Sequence, residues 1–332
     1  MNQADALLLD VKDVVVHFPA SQSSLFDRTD RTVKAVNSMS LSLRLGETLG
    51  LVGESGSGKS SFGRAILRLG ELTSGTVKFD GVEVARGTPS DVEWLRRETA
   101  MIFQDPYGAL NPRMAVGDAV TEVLRIHRKV PTAKINDRMR ELFDLVGLDT
   151  ELAGRRPVEL SGGQCQRVGV ARALAIEPRL IVADECVAAL DVSIQGQIIN
   201  LLIDLRARMG LSMIFIAHDL AIVRRLCDRV AVMYLGRVVE EGPTDQVFTN
   251  PRHPYTISLI RAIPEIDPDK VLDEEPLAGE PPSPVILPSG CAFHPRCRMV
   301  QDRCRDSPPP SLRGEGEHRS ACILPPPSTV SP

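Results

Sequence analysis

Apolar and polar positions alternate along residues 7 to 18 (LLLDVKDVVVHF) and again along 33 to 45 (VKAVNSMSLSLRL), with β-branched side chains throughout, which predicts strands of an antiparallel or mixed sheet. The intervening ASQSSLFDRTDRT shows no period and reads as a polar loop. After Gly46, the short apolar run ETLGLV enters a glycine-rich turn and then SSFGRAILRLG, whose spacing is helical, giving strand, loop and helix in succession. GTVKFDGVEV predicts a hairpin about Asp80-Gly81. From Asp118 to Leu148 the period is helical, with breaks at Pro131 and Gly147. Apolar strands follow at Leu180 to Ala183 and, after a further helix, at Met213 to Ala217. Strands alternating with helices imply an α/β domain with a mostly parallel sheet. There is no internal repeat, and past Pro264 the pattern dissolves into a linker rich in proline and acidic residues.

Composition adds two facts to this picture. The 332 residues are 43% hydrophobic and 25% charged, the balance of a globular chain, and 39 Lys and Arg against 43 Asp and Glu give a net charge of -4. No global basic field points to nucleic acid or an anionic membrane, no window matches a spanning helix, and the N-terminus lacks the pattern of a secretory signal, so a cytoplasmic location is expected. Second, 15 of the 25 prolines and four of the seven cysteines lie from Pro264 onward. In a cytosolic chain such a cysteine group points to metal binding or redox chemistry rather than to disulfides.

The chemistry begins at Gly53-Glu54-Ser55-Gly56-Ser57-Gly58-Lys59-Ser60, which fits G-x-x-x-x-G-K-[ST] between a predicted strand and a predicted helix. Glycines let backbone N–H groups curl around phosphate oxygens, and the helix N-terminus adds its positive end. Lys59 is expected to reach the β/γ-phosphates and Ser60 to bind Mg²⁺, with Ser61 beside it. A second apolar strand ends in adjacent carboxylates. Asp184 is expected to hold Mg²⁺ through water, and Glu185 to orient and polarise the water that attacks the γ-phosphate. A glycine turn without ligand and a solvated acidic turn are the bland alternatives; the two motifs together weigh against both. To this point the residues call for Mg-ATP or Mg-GTP hydrolysis.

Leu160-Ser161-Gly162-Gly163-Gln164, followed by QRVGVARAL just upstream of the Asp-Glu strand, resembles the motif that marks ATP-binding cassette (ABC) ATPases. The resemblance implies ATP as the nucleotide and a head-to-tail dimer, in which Ser161, Gly162, Gly163 and Gln164 of one subunit cap the γ-phosphate bound by the other. It further implies that Gln104, in MIFQDPYGALNPRM, senses Mg²⁺ and water and connects to a transmembrane partner, and that Ala189-Leu190-Asp191 form the loop that follows the catalytic strand. His218, in FIAHDL, is then the switch histidine that hydrogen-bonds the γ-phosphate. An aromatic upstream of the phosphate loop is expected to stack on adenine, Phe18 first and Phe26 second. Cys186 stands where the family commonly has proline, Ala188 where serine is common, and Cys165 where arginine or lysine is frequent. None of these removes a ligand, but loss of proline after Glu185 is expected to loosen the attacking water and slow turnover.

Asn250-Pro251-Arg252-His253-Pro254-Tyr255-Thr256 with LIRAIP, and the tail GCAFHPRCRMVQDRC with its later cysteine, resemble ATPases of the oligopeptide/dipeptide and nickel importer family. The resemblance runs over about residues 7 to 323. It implies a nucleotide-binding domain over 7–263 with mixed sheet, antiparallel β subdomain and helical subdomain (about 105–175), then a small Cys-rich extension over 264–332. The implied setting is peripheral, on the cytoplasmic face of the membrane beneath two permease subunits fed by an extracytoplasmic binding protein, paired with a homologous ATPase as a heterodimer, without nucleic acid. Di- or oligopeptides are the implied cargo, nickel or glutathione minor alternatives. Rival readings are a cassette ATPase acting on nucleic acid or ribosomes, and a slowly hydrolysing regulatory cassette with a redox-sensing tail. Cys291, Cys297, Cys304 and Cys322 are spaced C-x5-C-x6-C-x17-C. Four thiolates suit tetrahedral Zn²⁺ or an iron-sulfur cluster. The lack of C-x2-C pairs and the family resemblance favour [4Fe-4S]; His294 reads first as a polar loop residue and second as a substitute ligand.

Overall fold

The computed structural model describes residues 7–19, 32–263, 277, 279–306, 308, 310–314 and 316–324. Most of the polar insertion, including Phe26, and much of the proline-rich linker lie outside the described residues. In chain order the elements are β1 (Leu7–Pro19), β2 (Thr32–Arg44), β3 (Thr48–Val52), α1 (Lys59–Ile66), β4 (Ser74–Phe79), β5 (Val82–Glu83), α2 (Pro89–Glu98) and β6 (Thr99–Ile102). There follow α3 (Val116–His127), α4 (Ile135–Leu145), α5 (Gly162–Leu174), β7 (Leu180–Asp184), α6 (Val192–Met209), β8 (Ser212–Ala217), α7 (Leu220–Leu226), β9 (Arg229–Tyr234), β10 (Arg237–Pro243), α8 (Thr244–Thr249), α9 (Pro254–Arg261) and β11 (Arg319–Ser320).

The chain divides into two compact units. One holds Arg44–Glu47 and Gly87–Ile216. Its strands β8, β7 and β6 are adjacent and parallel, with Leu180 opposite Ser212 on one side and Thr99 on the other. Every position of β7 and β8 is buried, as continuous apolar runs covered by helices require. Helices α3, α4 and α5 pack on one another through Val120, Leu124, Leu142, Phe143 and Val168, all essentially without exposure. Helix α2 starts at a capping box: Thr88 accepts from the Asp91 N–H, Asp91 accepts from the Thr88 N–H, and Pro89 fills the first turn.

The other unit holds Leu8–Leu43, Thr48–Arg86 and the chain from Ala217. Strands β2, β1, β4 and β5 are neighbours in that order, β4 pairing antiparallel with β1 and with β5. The predicted hairpin is β4–β5, turned by Asp80 and Gly81 at φ 48° and 79°, the two left-handed residues of a type I′ turn. Strand β3 runs parallel to β9, whereas β10 pairs antiparallel with both β9 and β11. The cysteine-bearing segment is thus built onto an edge of β10 through Glu240↔Ser320 and Glu241↔Arg319.

Candidate functional site

In the second unit the fully buried strand β3 delivers the chain into the phosphate loop. Two of its glycines are obligatory. A Cβ on Gly53 (φ 154°) would lie 2.1 Å from the Met233 carbonyl oxygen, and one on Gly58 (φ 103°) 2.0 Å from that of Ala35. Gly58 is the N-cap of α1 and supplies no side-chain cap, the arrangement in which a helix start suits an anion. Lys59, 4% exposed, donates from Nζ to the Gly53 and Glu54 carbonyls at 2.8 and 3.0 Å. The buried Ser57 hydroxyl has no hydrogen-bond partner among the described residues. A cradle that excludes Cβ atoms, an ammonium held by neutral carbonyls and an unsatisfied hydroxyl fit an anionic phosphate chain.

Glu54 is held from outside the loop. Its N–H donates to the Tyr255 hydroxyl at 2.8 Å, and its carboxylate accepts from both terminal nitrogens of Arg296 at 2.6 and 3.0 Å. Tyr255 is buried in an aromatic group with Tyr234 and Phe293, at centroid distances of 4.7 Å to Tyr234 and 5.4 Å to Phe293. Beside it, His253 caps α9, its Nδ1 accepting from the Tyr255 N–H at 3.1 Å. Burial depresses the His253 pKa to about 4, partly opposed by the Glu240 carboxylate. Glu240, fully buried, accepts from the Arg252 and His253 N–H groups at 2.7 and 2.8 Å and lies 2.8 Å from His318 Nε2. His218 is exposed between β8 and α7, ahead of Asp219, which caps α7 by accepting from the Ala221 N–H. Phe18, the penultimate residue of β1, is 42% exposed, unusual for a phenylalanine.

In the first unit β7 ends at Asp184, which is 1% exposed, and Glu185 follows with φ 45°. A left-handed glutamate costs about 1 kcal/mol or more and is the kind of strain found at working sites. It turns Glu185 out of the strand, where its Oε2 accepts from Gln104 Nε2 at 3.0 Å. The turn beyond is closed by the Ala188 N–H on the Glu185 carbonyl (3.0 Å), so it forms without proline. Cys186 is buried and burial pushes its thiol up to about 12, a neutral packing group.

Helix α5 opens at Ser161 in a capping box. Ser161 Oγ accepts from the Gln164 N–H at 3.3 Å, and Gln164 Oε1 accepts from the Ser161 N–H at 2.9 Å. A Cβ on Gly163 would meet Ile194 Cγ2 at 2.6 Å. The Tyr107 hydroxyl donates to the Leu160 carbonyl at 3.0 Å, tying the Gln104 loop to the start of this helix. Cys165 is buried with its thiol raised to about 11.

The four tail cysteines line one cavity of about 10 Å³ with His253, His294 and Phe293. Burial pushes Cys291 up to about 11 and raises Cys297 and Cys322, with the neighbouring thiols adding to the effect. Soft sulfur donors therefore converge, yet no group of three or more His, Cys, Asp or Glu among the described residues is arranged to hold a metal ion. His294 Nδ1 lies 3.0 Å from the Cys291 carbonyl.

A glycine cradle leading into an uncapped helix, a strand ended by two carboxylates and a serine-glycine helix start define a P-loop ATPase of the cassette type. Comparison with known proteins carries this further. Residues 36–188 match the ABC transporter family and residues 239–304 the oligopeptide/dipeptide transporter C-terminal region. The chain is 47% identical over 321 residues to the oligopeptide transport ATP-binding protein OppF of Escherichia coli, covering 96% of each. It is 46% identical over 324 residues to the probable peptide ABC transporter ATP-binding protein y4tS of Sinorhizobium fredii, covering 98% of this chain and 92% of that one. Among solved structures, a dimeric ATP-binding cassette in a post-hydrolysis state bound to ADP and Pi superposes with a TM-score of 0.63 at 27% identity, over 71% of this chain and 98% of that one. The chain belongs to the ATP-binding, ATP-hydrolysing subunits of ABC transporters, in the oligopeptide/dipeptide branch. No described helix is long and apolar enough to cross a membrane.

Sequence reasoning had included Glu54 among the phosphate-loop residues but missed what holds it. Arg296 and Tyr255 lie 242 and 201 residues away, and nothing local to the motif marks them. The available signal was an ionisable residue inside a phosphate loop together with an arginine enclosed between two cysteines.

Proposed function

We propose that the chain hydrolyses ATP to drive import of di- or oligopeptides, as a head-to-tail nucleotide-sandwich dimer peripheral to the cytoplasmic face of the membrane. The observation that carries this is the phosphate cradle, with its uncapped helix start, its buried ammonium and its unsatisfied Ser57 hydroxyl. Residues 7–263 form the nucleotide-binding domain, with 105–175 its helical part and 264–332 an extension. Gly53 to Gly58 give backbone N–H groups to the phosphates, and Lys59 exchanges two carbonyl partners for the β/γ-phosphate oxygens. The Ser60 hydroxyl, beside Ser61, and the Asp184 carboxylate are the hard oxygen donors that Mg²⁺ takes, and bound Mg²⁺ neutralises phosphate charge. Glu185, turned outward and held by Gln104, orients and polarises the attacking water. His218 hydrogen-bonds the γ-phosphate, Phe18 stacks on adenine, and Ser161 to Gln164 cap the nucleotide of the opposing subunit.

The partners in this reading are two permease subunits, an extracytoplasmic binding protein acting through them, and a homologous ATPase in a heterodimer. Relatives named as oligopeptide transport and peptide ABC transporter ATP-binding proteins support the cargo class. The converging thiols support a metal-bearing tail, [4Fe-4S] or Zn²⁺, while the absence of a ready ligand cage among the described residues weighs against it, so no catalytic step runs through it. Anaerobic purification with iron, sulfide and zinc analysis decides between them, and protein free of all three removes the proposal.

The catalytic reading is tested by Glu185→Gln in the assembled transporter. Turnover is expected to fall about 100-fold or more with MgATP binding retained, the scale of a lost general base. Undiminished turnover sinks the role given to Glu185. Subunits that co-purify in mild detergent, and the ligand found on the binding protein, test the transport reading.

A further inference from the structure

We infer that Arg296, in the cysteine-bearing segment, is a positioning residue for the ATP site, acting through Glu54 of the phosphate loop. The inference rests on that loop binding ATP. The Arg296 side chain is only 5% exposed, and its guanidinium meets the Glu54 carboxylate through two parallel bonds of 2.6 and 3.0 Å, a fork-to-fork pair that fixes direction as well as charge. Its Cζ lies 6.0 Å from the centre of the Tyr234 ring, so the cation is walled by an aromatic on one side. The Arg296–Glu54 pair, with the burial set against it, keeps the arginine cationic.

The pair matters because of what else Glu54 does. Its carbonyl is one of the two that hold the Lys59 ammonium, and its N–H is fixed by the Tyr255 hydroxyl. Three groups of one loop residue are therefore held: the N–H by Tyr255, the carbonyl by Lys59 and the Ser57 N–H, and the carboxylate by Arg296. The N–H and the carboxylate of Glu54 are thus held from outside the loop, before any phosphate arrives. Arg296 is itself set by a tight turn in which its N–H donates to the Phe293 carbonyl at 3.0 Å and the His294 N–H to the Cys291 carbonyl at 2.9 Å. Cys291 and Cys297 flank that turn.

The test uses the full chain, with MgATP affinity read by calorimetry and steady-state ATPase measured in the assembled transporter. Arg296→Met and Glu54→Gln are each expected to weaken MgATP binding and raise KM about tenfold, with kcat changed no more than about twofold. Arg296→Lys, which keeps the charge but not the fork, is expected to recover part of the loss. The double variant is expected to be no worse than either single one, since both remove the same pair. Glu54→Gln leaves the tail intact and so covers the case in which Arg296→Met misfolds. Lys59→Ala serves as the control. Normal MgATP affinity in Arg296→Met and Glu54→Gln, alongside lost binding in Lys59→Ala, overturns the inference and leaves the nucleotide reading standing. Normal affinity in Lys59→Ala overturns both.

Discussion

Helices α1 and α5 both begin at small residues, yet their first turns are left in opposite states. At α1 the N-cap is Gly58, which has no side chain to offer, and the first-turn amides have no side-chain cap. At α5 the N-cap is Ser161, whose hydroxyl already accepts from the Gln164 N–H while Gln164 accepts in return. The first start carries no side-chain cap of its own, the state in which a helix end suits an anion. At the second, the Ser161 and Gln164 N–H groups are already engaged within the helix start itself. On the reading proposed above, the uncapped start holds a subunit's own nucleotide and the self-capped start meets the one bound by its partner. A third start, α9, is closed differently again, by the neutral imidazole of His253.

The comparison breaks most severely at Gly58. Gly58→Ala forces a Cβ to within 2.0 Å of the Ala35 carbonyl at a left-handed φ, and MgATP affinity should drop on the order of 100-fold, measured by calorimetry on the full chain. Unchanged affinity would mean that the open start is not where phosphate binds. Next in size is His253. An unfolded histidine titrates near 6.5, the folded one at about 4, so between those values the unfolded chain takes a proton that the folded chain refuses. Stability contributed by the neutral ring is fully present above pH about 6.5 and falls as pH drops toward 4, by up to about 3 kcal/mol. Denaturant titrations at several pH values should show this slope, and His253→Asn, which caps without titrating, should flatten it. The smallest effect is at Ser161. Ser161→Ala should cost about 1 kcal/mol of stability, leave MgATP binding by the single subunit unchanged, and slow ATPase turnover in the assembled transporter. Weakened binding by the isolated subunit would contradict the division of labour between the two helix starts.

Much of the fold is legible because local rules and tertiary structure agree. The hairpin at Asp80-Gly81, the parallel strands β7 and β8 and the strand into α1 follow directly from period and turn chemistry. Thr88-Pro89 with Asp91 is an equally local signal for α2, though one that was not read from the sequence. Strand β10 is harder for a physical reason. Glu240 and Glu241 are buried, at 0% and 2% exposure, so the strand carries charge where a buried strand is ordinarily apolar. Their partners His318 and Arg319 lie 78 residues away. The phosphate loop, the two carboxylates and the serine-glycine helix start are visible as motifs because phosphate chemistry dictates backbone shape locally. The brace on Glu54 is invisible because a salt bridge leaves no period in the sequence.

The burial of Glu240 also bears on where this protein can be cut. Composition draws a line near residue 263, with an ordinary α/β chain before it and a proline- and cysteine-rich segment after. Glu240 lies before that line and His318 after it, and the same is true of Glu54 and Arg296. A polypeptide stopped at Ile263 would leave one carboxylate in the interior without its imidazole and another in the phosphate loop without its guanidinium. Residues 7–263 are therefore expected to depend on the segment that follows them. On the inference above, the 69 residues after Ile263 act as a built-in cofactor made of polypeptide, and proteolysis within them should register first as a defect in nucleotide binding.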